Sequence, residues 1–94
     1  MKTYVLVWHG WIGDDRLKRQ TILDEIDKMP SVRNWRASTG AIFIHSDRDE
    51  SILSEELRSR MPRLEFIISA IDLDTSEGRT DRKTWDFIGR IKTG

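Results

Sequence analysis

The chain contains no cysteine, which excludes disulfides and thiolate metal sites and fits a reducing compartment. No apolar run approaches the ~20 residues needed to cross a bilayer, so a membrane partner is not expected. Sixteen basic residues balance sixteen acidic ones, and a formal net charge of +0 gives no global attraction for nucleic acid or an anionic surface. Proline is scarce: Pro30 and Pro62 both stand where a helical pattern stops. There is no internal repeat and no low-complexity segment. Met1-Lys2-Thr3-Tyr4 leads straight into a strand-like run without the apolar stretch of a signal peptide, so a cytoplasmic location is expected.

What remains is a 94-residue chain, 37% hydrophobic and 34% charged, within the range of one globular domain. A chain of this size buries only roughly 60–65% of its unfolded surface, so its core margin is thin. The order of its apolar runs is informative. Strand-like runs at 4–8, 32–38, 41–45 and 64–71 alternate with helical stretches at 16–29 and 49–61. Strand, helix, strand, strand, helix, strand is the split βαβ plan, and it predicts an α+β, ferredoxin-like βαββαβ antiparallel sheet of order 4-1-3-2. The expected domain is 1–75, followed at 76–94 by a polar linker and an amphipathic C-terminal helix, packed on the same domain or on a partner.

Runs one and three are apolar at successive positions, as in strands buried on both faces, whereas run two is the most polar and reads as an exposed edge. Run four is apolar on both faces although the predicted order places it at the other edge, with Phe66 and Ile68 facing one way and Ile67, Ser69 and Ile71 the other. Two helices cover only one face of a sheet. The other face, or the edge, needs either the C-terminal helix, whose arc is Trp85, Phe87, Ile88 and Ile91 with Thr80 as its cap, or a second copy. A homodimer is therefore expected.

Other local signals are ordinary. Asp14 and Asp15 stand at the start of the first helix, where acidic side chains favour its dipole. Asp47 followed by Glu50 reads as a capping box for the second. Ser38-Thr39-Gly40 reads as a hairpin turn with glycine free to take positive φ.

Several groups invite a chemical reading. Gly10-Trp11-Ile12-Gly13 sits between a strand and a helix but lacks the lysine of a Walker loop and the third glycine of a dinucleotide fingerprint. His9 and His45 close antiparallel strands at opposite ends, so they do not share a metal. A site from His45, Asp72 and Asp74 is a weak candidate, since its strands are two spacings apart, roughly 10 Å. Eleven of the cations are arginine. Arg33 and Arg36 on the second strand, with Arg58, Arg60 and Arg63 at the end of the second helix, form a weak nucleic-acid candidate beside the simpler role of balancing a helix dipole. Tyr4, Trp8 and Phe43 are the rings available for base stacking, although the pattern of RNA-recognition strands is absent. No cofactor is implied, and no nucleophile motif or triad is present.

Trp35-Arg36-Ala37-Ser38, the following strand Ile42-Phe43-Ile44, the Tyr4-x-Leu6-x pattern and Phe66-Ile67-Ile68 together resemble a group of small bacterial proteins called SinR-like. That group is distantly similar to the small ferredoxin-like subunit of the CRISPR spacer-integration complex. The similarity spans roughly residues 3–73 and implies a homodimer and a link to nucleic acid. In the CRISPR-associated relatives an aspartate at the end of strand one is the proposed metal ligand of a nuclease; here His9 stands there, which counts against metal-dependent cleavage. Asp14 or Asp15 would have to substitute for it across a dimer axis, and helix capping explains both more simply. The leading expectation is a non-catalytic dimeric module acting through protein or nucleic-acid contacts. The alternatives are a divergent metal-dependent nuclease using His9 with Asp14 or Asp15, and a small-molecule sensor with a pocket between sheet and C-terminal helix near Trp85 and Tyr4.

Overall fold

The apolar runs pair as strands because each offers an unbroken series of residues that a pleated, two-faced surface buries. In the computed structural model, which describes residues 1–11, 19–38, 40–72 and 82–93, the chain is α+β: one four-stranded antiparallel sheet with three helices. The elements are β1 (Lys2–Trp11), α1 (Arg19–Asp27), β2 (Asn34–Ala37), β3 (Ile42–Ser46), α2 (Glu50–Arg60), β4 (Leu64–Ala70) and α3 (Arg82–Thr93). The sheet order is β2-β3-β1-β4. β1 pairs Tyr4 with Ile44 on one side and with Ala70 on the other, so it is buried between neighbours.

Alternation along the strands sorts the side chains. Tyr4, Leu6, Ile42 and Ile44 face α1 and α2 and pack with Ile22, Leu23, Ile26, Met29, Leu53, Leu57, Met61 and Leu64 as the main core. Cross-strand partners share a face. Thr3 and His45, paired across β1 and β3, therefore lie on the opposite face with Val5 and Phe43. That face carries α3, which buries Thr84, Phe87 and Ile88.

Three local expectations are corrected. Asp49, not Asp47, caps α2: it has extended backbone, and its carboxylate accepts from the Ile52 amide at 3.0 Å. Asp47 instead accepts a hydrogen bond from Arg33. Gly10 lies in no loop, because β1 runs on to Trp11 and passes an irregularity in its pairing with β4 between Trp8 and Gly10. The β2–β3 turn closes with the Ser38 amide on the Ala41 carbonyl at 2.8 Å, and Gly40 needs no positive φ. α1 ends at Asp27, three residues before Pro30, through tight turns in which Lys28 and Met29 amides reach Glu25 and Ile26 carbonyls. Thr80, Asp14 and Asp15 lie outside the described residues.

Candidate functional site

α3 is attached to its sheet by polar contacts as well as apolar ones. Phe87 stacks on His45 with ring centroids 3.9 Å apart and planes 8° from parallel. The same His45 ring reaches back to the helix, where Nε2–H donates to the Phe87 carbonyl at 3.1 Å. Arg36 Nε donates to Thr84 Oγ1 at 3.0 Å. The strand alternation that sends His45 and Arg36 to this face makes them anchors for the helix. Thr3 lies buried beside them, its hydroxyl without a hydrogen-bond partner among the described residues.

The same strands place the other candidate residues. His45 is buried under α3, Asp72 is exposed beyond the end of β4, and Asp74 lies outside the described residues. Among the described residues, no three of His, Cys, Asp and Glu gather as a metal site. His9 is in β1, six residues along from Thr3, the partner of His45, so the two histidines stand at opposite ends of the sheet. Tyr4 belongs to the α1–α2 core and donates its hydroxyl proton to the Arg48 carbonyl at 2.7 Å. It therefore lies across the sheet from α3 and shares no pocket with Trp85. Trp8 packs against that same core while Phe43 faces the other way, so the three rings form no common stacking platform.

The five candidate arginines lie at β2 and at the end of α2. Arg33 pairs with Asp47 at 3.0 Å, both exposed, and that hydrogen bond holds the Asp47 carboxyl below the usual carboxylate range. Arg60 binds Glu25 at 3.4 Å and the Lys28 carbonyl at 3.2 Å, tying α2 to the end of α1. Arg36 is turned toward α3. Arg58 and Arg63 are exposed near the end of α2.

The surface that remains lies on the other side of the molecule. β4 is an edge of the sheet, and among the described residues no strand pairs with its outer side. Ile67 is 55% exposed on the face that α3 covers elsewhere. Between β4 and α2 runs an open groove of about 720 Å³. Ser51, Ser54 and Arg58 line one wall, at spacings of three and four residues that place them on one helix face. Glu50 is the first residue of α2 and Arg58 lies in its last turn, so the two stand toward opposite ends of that wall. Phe66, Ile67 and Ile68 supply the other wall. A second groove, of about 590 Å³, runs between β2 and α3, lined by Trp35, Arg36, Lys83 and Phe87 among others. It is smaller, and the strand beneath it is fastened on both sides by the Arg36–Thr84 bond and by the Trp35 indole on Asp27 at 3.0 Å.

The exposed apolar alternation of β4 is visible in the sequence, whereas the α2 wall shows there only as the helical spacing of Ser51, Ser54 and Arg58. No helix among the described residues is long and apolar enough to cross a membrane. No protein-family model matches the chain, and neither a curated protein nor a solved structure does.

Proposed function

We propose that this chain is a non-catalytic, ferredoxin-like module that acts in the cytoplasm through protein contacts made along the β4 edge and its groove with α2. The element order and the sheet order β2-β3-β1-β4 support the ferredoxin-like assignment. One observation carries the functional reading. α3 covers the second face of the sheet over Thr3 and His45, yet β4, seven residues long and mostly apolar, pairs on its outer side with no strand among the described residues and leaves Ile67 exposed. Edges of that kind are templates for pairing, and soluble proteins usually blunt them with lysine, proline or short length. β2 follows that practice, with four residues and a polar sequence; β4 carries one charge, Glu65, and no proline. Arg33 and Arg60 are committed to carboxylates, which supports a protein partner over nucleic acid. A homodimer is also what the resemblance to SinR-like proteins implies.

Fluorescence anisotropy with labelled single- and double-stranded DNA and RNA, over a salt series with and without Mn²⁺, tests this reading. It predicts no binding at low salt. Binding that weakens steeply with salt would replace it with a nucleic-acid module. Mn²⁺-dependent cleavage, lost on substitution of His9, Asp14 and Asp15 in protein that still folds, would replace it with a nuclease.

A further inference from the structure

We propose that the occupant of the β4 edge is a second copy of this chain, joined through an antiparallel β4–β4 pair centred on Ile67. The inference rests on the protein-contact reading above and specifies the partner.

The backbone sets the register. The Ile71 amide donates to the Thr3 carbonyl at 2.9 Å, so Ile71 turns its peptide groups toward β1. Alternation then directs Ser69 and Ile67 to β1 as well, and turns the N–H and C=O groups of Phe66, Ile68 and Ala70 outward. In a two-fold pair centred on Ile67, Phe66 lies opposite Ile68 of the other copy and Leu64 opposite Ala70. Residues with outward groups therefore meet one another; the Leu64 amide is already given to the Met61 carbonyl at 3.1 Å, so about six hydrogen bonds close across the axis. A slip of one residue would set outward groups against inward ones. Centring on Phe66 or Ile68 keeps the parity but shortens the overlap; only the Ile67 centre overlaps all seven residues of β4.

The side chains agree with that register. The exposed Ile67 side chain meets its own symmetry mate as a non-hydrogen-bonded pair, the closer of the two antiparallel pair types. Glu65, the one charge on the strand, faces Ser69, so no like charges oppose each other. The groove on the helix side is polar in a self-complementary way. Glu50 and Arg58 stand toward opposite ends of its α2 wall with Ser51 and Ser54 between them. A two-fold axis through Ile67 reverses that order, directing each Arg58 toward the other copy's Glu50 across a stretch of small side chains. The product is a continuous eight-stranded sheet in which the unprotected edge no longer exists.

The absence of cysteine makes the test clean. Ile67→Cys puts two thiols across the axis with Cα atoms about 4.5 Å apart, within disulfide reach. Ser69→Cys puts them about 13 Å apart, four residue rises along the strand and beyond reach. Under mild oxidation, with folding checked by circular dichroism, I67C is expected to form a disulfide-linked dimer and S69C to remain unlinked, while E65C/S69C links again. In parallel, Ala70→Pro removes an outward N–H without breaking a bond to β1; sedimentation is expected to show the dimer dissociation constant raised tenfold or more. Linkage of S69C as readily as I67C, no linkage of I67C, or an unchanged dimer with A70P overturns the proposal. A monomer that also ignores nucleic acid removes the second copy but leaves the protein-contact reading; nucleic-acid binding removes that reading itself.

Discussion

Replacing Phe87 with alanine separates the docking of α3 from the integrity of the rest of the fold. A buried phenylalanine contributes about 150–250 Å² of covered surface, and Phe87 is only 7% exposed. Buried Phe→Ala changes cost about 3–5 kcal/mol, and parallel stacking of the kind seen on His45 adds about 0.5–1.5 kcal/mol. Partial collapse of a short terminal helix onto its sheet offsets some of this, which leaves about 3 kcal/mol as the expected loss. That loss should fall on the local opening of α3, because the main core of Tyr4, Leu6, Ile42, Ile44, Leu53 and Leu57 lies on the other side of the sheet. At about 1.4 kcal/mol per decade, α3 amides should exchange about a hundredfold faster, while β1 and β3 amides change far less. Residue-resolved hydrogen exchange reads both, and the His45 ring resonances should lose the displacement caused by the stacked ring. Unchanged protection in α3 would refute the cis docking. An equal fall in β1 and β3 would refute the separation of the two layers.

Three further outcomes follow from the same geometry. Asp49→Ala removes the cap of α2 and should cost about 1 kcal/mol, lowering Tm by about 5 °C, whereas Asp47→Ala leaves that cap in place; thermal melts compare the two. Tyr4 is the only tyrosine, and burial, reinforced by the nearby Glu50 and Asp49 charges, pushes its hydroxyl above its ordinary value of 10.0. The folded state thus holds that proton more tightly than the unfolded one, so the associated stability is complete below about pH 10 and is lost as pH rises through the folded midpoint. Phenolate difference absorbance should accordingly show a midpoint above that of the denatured chain. Thr3→Val replaces a buried hydroxyl that has no partner among the described residues with a methyl of the same shape, so Tm should hold or rise; a loss of more than about 1 kcal/mol would mean the hydroxyl is bonded.

Much of this architecture was legible because strand alternation and proline stops are local signals. The double-faced apolar runs of β1 and β3 marked them as central strands, and the polar run of β2 marked an edge. The need for a cover over the second face followed from counting faces, and α3 supplies it over β1 and β3. Less legible was how that cover is fastened. Hydropathy points to Phe87 and Ile88, but His45, Arg36 and Thr84 join the helix to the sheet through hydrogen bonds that only spatial proximity creates. The choice between Asp47 and Asp49 as the cap turned on two residues of helix start, finer than periodicity resolves. The chain does not display the partners of Arg33 and Arg60, Asp47 and Glu25, beside them, so these ion pairs are not legible in it. The α2 wall of the groove is not legible, because serines at helical spacing resemble any solvated face until β4 is set next to them.

Amide exchange along β4, followed as protein concentration is raised, tests the central claim most directly. Paired edge strands predict that Phe66, Ile68 and Ala70 amides, which point away from β1, gain protection with concentration, while Ile67, Ser69 and Ile71 amides stay protected throughout. Outward amides that exchange freely at every concentration would contradict the claim that two copies meet along this edge.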